Sequence, residues 1–284
     1  MNPSLQYTTF VTDQIRQSGR GPLPDGSTRM WSPITSTLIY GAQDAVLVDP
    51  PLTVAQAAEV GDWIDASCRR LRQIYITHGH GDHWFGAMSL LNRFPGVAIR
   101  ATEGTKRHMA GQNTTAFRAE FWDRVFPGQL PVGDVRVDVV DERGLELEGV
   151  LLRPIEVGHT DTDGTTMLHV PEIGLLVAGD VVYNGVHQYL TESGGVTGID
   201  DWLAALDAAE KLEPVAVVAG HKKPDACDEP TQIDSTRTYL TDARSLLESS
   251  RTATEFYDAM LALHPDRLNP GALWGAATTL FPNP

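Results

Sequence analysis

The sequence lacks any long apolar run and contains only two cysteines among its 284 residues. No apolar stretch approaches the roughly 18 residues of a membrane-spanning helix, and no charged-then-apolar leader opens the chain, so we expect no membrane partner and no secretion. Cys68 and Cys227 lie far apart and outside any cluster of metal-ligand residue types, which indicates free thiols in a reducing compartment. The sequence therefore predicts a cytoplasmic protein without disulfides.

Basic residues are also scarce, because 22 Lys and Arg stand against 37 Asp and Glu, for a net charge of −15. Such a charge repels phosphate backbones, so nucleic acid is not an expected partner. A hydrophobic content of 42% with 21% charged residues is typical of a globular chain with a sizeable core. We expect a small-molecule substrate, and a homo-oligomer is compatible with this composition.

Three regions differ in their sequence pattern. Residues 1–30 are polar and interrupted by glycine and proline, which predicts an N-terminal arm. Residues 31–228 contain two blocks of short β-rich runs, each followed by helical periodicity. This pattern predicts one α/β domain with two packed sheets and helices outside them, a four-layer αββα sandwich. Residues 229–284 are predicted to form a C-terminal helical segment packed on the same domain.

The most informative stretch is the run His78-Gly79-His80-Gly81-Asp82-His83, directly after the apolar segment 71–76. Imidazole nitrogens and carboxylate oxygens are ligands for zinc and, less often, for iron or manganese. Alternation along an extended segment points His78 and His80 the same way, whereas Asp82 and His83 turn in another direction. The run therefore predicts two metal ions side by side, and its alternative is a solvated polar loop.

Three further candidates follow glycines at the ends of predicted strands, and these are His159, Asp180 and His221. Glycine allows the backbone to approach a crowded centre closely. Any one of the three alone is more typical of an ordinary loop residue. Together with the first run they supply seven ligands, enough for two metals that share one carboxylate.

At this point the chain resembles the metallo-beta-lactamase superfamily, whose αββα fold agrees with the segment pattern. The resemblance rests on four motifs in the family's order and on the preceding strand that ends in Val48-Asp49. The motifs are His78-x-His80-x-Asp82-His83, Gly158-His159-Thr160, Ala178-Gly179-Asp180 and Ala219-Gly220-His221. It implies one metal at His78, His80 and His159, a second at Asp82, His83 and His221, and Asp180 between them.

The resemblance also implies a chemistry. Two zinc ions (Zn2+) per chain are expected, with iron or manganese as alternatives, and a bridging hydroxide would attack an ester, lactone or thioester. Asp82 would accept a hydrogen bond from that hydroxide. Asp180 favours the lactonase and glyoxalase II branches, since one subgroup of zinc β-lactamases has Cys there. Asp49 would orient a ligand histidine, or would simply form the turn before Pro50.

Tyr183 lies three residues beyond Asp180, as does a substrate-contacting tyrosine in some lactonases that this segment resembles. Its hydroxyl is predicted to donate a hydrogen bond to a developing oxyanion, and packing beneath the loop is the alternative. Lys222 and Lys223 either attract a substrate carboxylate or phosphate or are solvated. Trp84 and Phe85 are candidates for the wall of an apolar pocket.

Three other functions remain open on the same fold. One is a mononuclear iron oxidoreductase of the persulfide dioxygenase kind, which uses a subset of these ligands. Another is a zinc β-lactamase. The third, a binding module without metal, is disfavoured by the complete set of seven ligands.

Overall fold

The first of two β-sheets contains six strands in the order β1-β2-β3-β4-β5-β6. The computed structural model describes residues 5–140 and 143–282. Strands β1 to β3 are antiparallel to one another, and β3 to β6 run parallel. The six strands are β1 (Gln6–Val11), β2 (Thr35–Tyr40), β3 (Asp44–Val48), β4 (Arg70–Tyr75), β5 (Ala98–Ala101) and β6 (Val137–Val139).

The second sheet contains five strands in the order β11-β10-β9-β8-β7. Only β10 and β11 run parallel within it. Its strands are β7 (Leu145–Leu147), β8 (Val150–Gly158), β9 (Thr165–Val170), β10 (Leu175–Asn184) and β11 (Ala216–Lys222).

Helices cover the outer face of each sheet. The first sheet is covered by α1 (Val54–Ala66), α2 (Ala87–Arg93), α3 (Glu103–Gln112) and a winding segment of α4 (Thr115–Phe117), a π-turn and α5 (Asp123–Val125). The second sheet is covered by α6 (Gly195–Glu210), α7 (Thr231–Ser249), α8 (Ala253–Leu263) and α9 (Pro270–Leu280). Among the described residues no helix is long and apolar enough to cross a membrane.

Alternation along the strands explains the four layers. In β3, Ala45 and Leu47 pack against the helices of the first sheet. Val46 and Val48 point the other way and pack against residues of the second sheet such as Leu168. Successive side chains of a strand leave opposite faces, so a fully apolar strand is buried on both sides. The predicted αββα sandwich is confirmed.

The structure differs from the sequence prediction at three places. The segment 1–30 is not wholly irregular, because β1 pairs with β2 and forms an edge of the first sheet. Strand β10 does not end at Ala178 but continues to Asn184, since its pairing with β11 resumes after two register shifts. Helix α9 lies within the C-terminal segment predicted to be helical, but the residue pattern did not delimit it as a separate helix. Cys68 and Cys227 are free thiols, as the sequence predicts, and both are exposed.

Asn269 joins α9 to the segment before β2. Its φ of 59° lies in the left-handed region. Its side-chain oxygen accepts a hydrogen bond from Ala272 N at 3.2 Å, and its amide donates to Ser32 Oγ at 2.6 Å. One side chain therefore caps the helix and fixes the segment that leads into the first sheet.

Asn269→Ala is expected to lower the free energy of unfolding by about 2 kcal/mol, because a lost N-cap costs about 0.5–2 kcal/mol and a left-handed backbone is strained for alanine by about 1–2 kcal/mol. Asn269→Gly loses the same hydrogen bonds without the strain and should be destabilised less. Urea-induced unfolding of both variants measures the difference. Equal stability of Asn269→Ala and the wild type would contradict this account.

Candidate metal centre

Strand ends from both sheets bring a set of buried imidazoles and carboxylates together. His78 and His80 follow β4, and Asp82 and His83 occupy the short 3-10 turn Gly81–His83. Asp180 lies inside β10 and His221 near the end of β11. All six are at most 8% exposed.

One donor set consists of His78, His80 and Asp161, whose ligand atoms lie within 4.8 Å of one another. Asp161 Oδ2 lies 2.9 Å from His80 Nδ1 and 3.7 Å from His78 Nε2. Asp161 is fully buried in the loop between β8 and β9. Two imidazoles and a carboxylate thus converge from two loops.

The other donor set consists of Asp82, His83 and His221. His83 Nε2 lies 3.4 Å from His221 Nε2, and Asp82 Oδ2 lies 3.9 Å and 3.6 Å from these two nitrogens. Ligands about 2.0–2.2 Å from a tetrahedral zinc ion are separated from one another by about 3.3–3.6 Å. Two of the three spacings lie in this range, and the third, between Asp82 and His83, is slightly longer, so the set is compatible with such an ion.

Asp180 connects the two sets. Its Oδ1 lies 3.3 Å from His83 Nε2 and its Oδ2 lies 3.3 Å from His221 Nε2. The carboxylate needs the space beside Gly220, because a Cβ there would collide with Asp180 Oδ1. This close approach accounts for the glycine that the sequence motif places before His221.

Several buried polar atoms of the centre lack a hydrogen-bond partner among the described residues. They are His78 Nε2, Asp161 Oδ2 and Asp180 Oδ1. Unsatisfied buried polar atoms are costly and call for a ligand. The first two atoms belong to one donor set and the third to the carboxylate that connects the two sets, so the residues fit a pair of metal ions.

Outer partners orient the ligands. Asp49 accepts hydrogen bonds from the backbone and hydroxyl of Thr77, at 2.8 Å and 2.6 Å, and its Oδ2 lies 3.3 Å from His83 Nδ1. His221 Nδ1 donates to the Pro33 carbonyl at 2.7 Å. Each contact leaves the opposite ring nitrogen, Nε2, directed at the centre. Asp49 thus lies beside His83, in the position expected of a residue that orients a ligand histidine.

Two further outer partners were missed by the sequence analysis. Trp31 Nε1 donates to Asp82 Oδ2 at 2.9 Å. Glu192 Oε2 lies 3.3 Å from His80 Nε2 and accepts a hydrogen bond from Thr162 Oγ1. Neither residue belongs to a motif, and only the folded chain brings them to the ligands.

The charges of the centre are strongly coupled. Burial lowers the pKa of His83, but the carboxylates of Asp180 and Asp82 outweigh it and raise that pKa to about 10. Burial raises the pKa of Asp180, and His221 and His83 overcome this effect and hold it well below its usual range. Without a metal, His83 is therefore protonated at neutral pH. Metal binding must displace that proton, so metal affinity should fall as the pH falls.

The structure differs from the predicted ligand set at His159. Its Nδ1 lies 2.7 Å from Asp163 Oδ1 and its Nε2 lies 3.0 Å from the Ser193 carbonyl. Burial lowers the pKa of His159, but Asp163 and the Ser193 carbonyl raise it above its usual value. Both ring nitrogens thus contact oxygen atoms, and His159 lies outside the two donor sets. Asp161, and not His159, is grouped with His78 and His80 in this structure.

The other predicted residues divide into two groups. His78, His80, Asp82, His83, Asp180 and His221 converge as described. Tyr183 is buried, and its hydroxyl donates to Asp180 Oδ2 at 2.5 Å. Its proton is therefore directed at a carboxylate rather than at a substrate oxygen. Trp84 and Phe85 pack in the core of the first sheet.

A cavity of about 330 Å³ opens over the centre. His80, Asp82, Asp180 and His221 form its floor. Its walls include aromatic residues, the segment around residue 20 and helix α9. Aromatic walls beside a few convergent polar groups are typical of small-molecule sites, for which this volume is large enough. The aromatic wall residues include Trp31, Phe117 and Phe121.

A sequence profile of the metallo-beta-lactamase superfamily matches residues 29–221, more than half of the chain. The chain belongs to this superfamily. The matched range contains every residue of both donor sets and ends at His221. No functionally curated protein matches the sequence.

Solved structures agree on the fold. A metallo-beta-lactamase family protein from Thermus thermophilus is similar with a TM-score of 0.62 at 20% identity, over 96% of this chain and 91% of that one. A beta-lactamase domain protein from Burkholderia ambifaria gives 0.63 at 19%, over 96% and 86%. A metallo-beta-lactamase from Pseudomonas aeruginosa in its mono-zinc form gives 0.58 at 18%, over 85% and 92%. At these identities the likeness extends to the fold alone.

The choice between Asp161 and His159 can be tested by metal content. Asp161→Ala should weaken one metal site by more than the about 10–100-fold typical of a lost outer partner, because it removes a ligand. Asp161→His supplies a replacement donor and should retain more metal. His159→Gln should keep the wild-type content. Dialysis at fixed free zinc followed by elemental analysis measures all three, and loss of metal only in His159→Gln would favour the sequence-based set.

Proposed function

We propose that the protein is a dinuclear metal-dependent hydrolase that cleaves an ester, lactone or thioester bond in a small molecule. The observation that carries the proposal is the pair of donor sets connected by Asp180 on the floor of a cavity. Family membership supports it, since metal-dependent hydrolysis is common in the superfamily. The cavity is of a size suited to a small substrate.

Zinc is the proposed metal, with two ions per chain. The tetrahedral spacing around His83, His221 and Asp82 supports this choice. The related enzyme from Pseudomonas aeruginosa was solved in a mono-zinc form. Iron and manganese remain alternatives for the set that contains Asp161, because a carboxylate ligand suits these metals.

Bound metal ions would supply an activated water at neutral pH and a Lewis acid for the carbonyl. Asp82 is the proposed proton acceptor. Its Oδ2 is held by Trp31 Nε1, which leaves Oδ1 to accept a proton from the attacking water and return it to the leaving group.

Tyr183 acts in this proposal as a positioning residue. Its hydroxyl holds Asp180 Oδ2, and Asp180 in turn connects the two donor sets. The oxyanion role expected from the sequence would require this hydroxyl to leave its carboxylate partner, which is a buried hydrogen bond.

Asp180→Ala should reduce turnover by orders of magnitude and lower the metal content, because it removes the connecting ligand.

A screen of lactones, aryl esters, thioesters and β-lactams, with elemental analysis of the same sample, identifies the activity. A metal-to-chain ratio that stays near one in excess zinc would contradict the dinuclear centre. Turnover of β-lactams alone would replace the proposal with a zinc β-lactamase.

If Tyr183 positions Asp180, Tyr183→Phe should both lower kcat by roughly tenfold and weaken metal binding. If Tyr183 instead stabilised the oxyanion, its loss would lower kcat by about 10²–10³ without affecting metal binding. Measurement of kcat and KM at saturating and at limiting zinc separates the two roles. If excess zinc restores the variant, Tyr183 positions Asp180. A loss of kcat that is the same at every zinc concentration would indicate a direct contact with the substrate.

A second candidate is a mononuclear iron oxidoreductase of the persulfide dioxygenase kind. His78, His80 and Asp161 favour it, because two histidines and one carboxylate are the ligands typical of non-haem iron oxygenases. One iron per chain in the purified protein, with oxygen consumption in the presence of a persulfide, would establish this function instead.

We also propose a cytoplasmic location and a small molecule as the partner. The free cysteines and the net charge of −15 support these proposals. Fractionation of cells that produce the full chain would test the location.

A further inference from the structure

We propose that Arg20 binds a carboxylate of the substrate, so that the preferred ester, lactone or thioester is an anion. This proposal rests on the proposed function for the bond that is cleaved. It adds the class of substrate and the residue that selects it. Arg20 belongs to no sequence motif and lies in the segment predicted as an N-terminal arm.

Arg20 is the only arginine or lysine among the described residues that line the cavity. The two lysines considered in the sequence analysis lie elsewhere. Lys222 is 3% exposed and its ammonium group donates to Asp228 Oδ1 at 2.5 Å. Lys223 lines a separate surface depression beside Gly185. A substrate anion in the cavity therefore has one side-chain cation to meet besides the histidines.

The guanidinium of Arg20 has no acidic partner in the part of the chain that the structure describes. Its Nε is buried and makes no hydrogen bond. Burial lowers the pKa of Arg20; Tyr189 opposes this effect and Arg124 adds to it. A partly desolvated guanidinium without a carboxylate gains strongly from binding one, often through two parallel hydrogen bonds.

The position of Arg20 is fixed by its neighbours. Its guanidinium carbon lies 5.0 Å from the centre of the Phe121 ring. Phe121 packs edge-on against Trp31, whose indole nitrogen donates to the metal-site residue Asp82. An aromatic surface therefore separates the cation from the metal centre. A substrate with its scissile carbonyl over the metals and a carboxylate at Arg20 would lie along that surface.

The net negative charge of the protein makes Arg20 more important for binding an anionic substrate. With a net charge of −15, the protein repels anions at long range. Glu192 also lines the cavity, but its carboxylate is held by His80 and Thr162. Selection of an anion therefore depends on the local contact with Arg20 rather than on a general positive field.

The test compares two esters that differ only at the far end of the acyl chain. Mono-4-nitrophenyl glutarate carries a carboxylate where 4-nitrophenyl valerate has a methyl group. The wild type should show the lower KM for the glutarate ester. Arg20→Met should raise that KM roughly tenfold to a hundredfold, the effect of a lost charge-assisted hydrogen bond. The KM for valerate should change less than about twofold.

Two controls separate recognition from folding and from net charge. Arg16→Met removes the same charge from an exposed residue of the same segment and should leave both KM values unchanged.

Gly275→Asp places a carboxylate near Arg20, since a Cβ at Gly275 would lie 4.0 Å from Arg20 Nη1. It should reduce the preference for the glutarate ester with Arg20 in place. Gly275→Asn has the same size without the charge and should retain the preference.

The result that overturns the proposal is an equal effect of Arg20→Met on both esters, or no effect on either. If none of the esters, lactones and thioesters of the screen is hydrolysed, the proposed function fails, and calorimetry with phenylacetate and its neutral amide still decides the role of Arg20. Tighter binding of phenylacetate by the wild type than by Arg20→Met supports the carboxylate site. Equal binding by the two proteins excludes it.

Discussion

The candidate centre depends on one buried carboxylate, Asp180. It contacts the imidazoles of His83, which follows β4, and His221, near the end of β11. A charge that is 2% exposed is tolerated only when it is paired and hydrogen-bonded. His83, His221 and Tyr183 supply these contacts. The local backbone is shaped around it, because β10 changes register on both sides of Gly179 and Gly220 has no side chain to obstruct the carboxylate.

The sequence predicted the fold and most of the convergence at the centre because both depend on local patterns. Short apolar runs indicate strands buried on both faces, and the run from His78 to His83 gathers four candidate ligand residues within six positions. The glycines before Asp180 and His221 helped to identify these ligands, and the reason is steric. The close approach of β10, with Gly179 and Asp180, leaves no room for a Cβ at Gly220 in β11.

The loop that contains His159 shows what such patterns leave open. His159 and Asp161 lie two residues apart in one loop, and both residue types bind metals. Gly158 has a φ of 82°, and the chain beyond it directs His159 to Asp163 and Ser193 and Asp161 into the centre. Residue type does not encode that direction. The available signal was a second potential ligand in the same loop, and only the folded geometry decides between them.

The walls of the cavity were beyond sequence reasoning for another reason. Arg20, Phe121 and Gly275 belong to three distant segments, and no motif connects them. A wall requires only shape and an occasional charge, which many residues supply equally well. A metal site, in contrast, requires particular atoms at particular distances, and this requirement produces recognisable motifs of His and Asp residues in the sequence.

Asn269 adds a consequence for biosynthesis, because it fastens α9 to the segment before β2. On the ribosome, every donor of the metal centre has been synthesised once His221 is added. The cavity wall made by α9 follows only some fifty residues later. A nascent chain can therefore complete its metal ligands before it has a closed binding site. The wall made by α9 and the metal ligands thus lie in separate stretches of the chain, and mutation can alter this wall while the ligands are preserved.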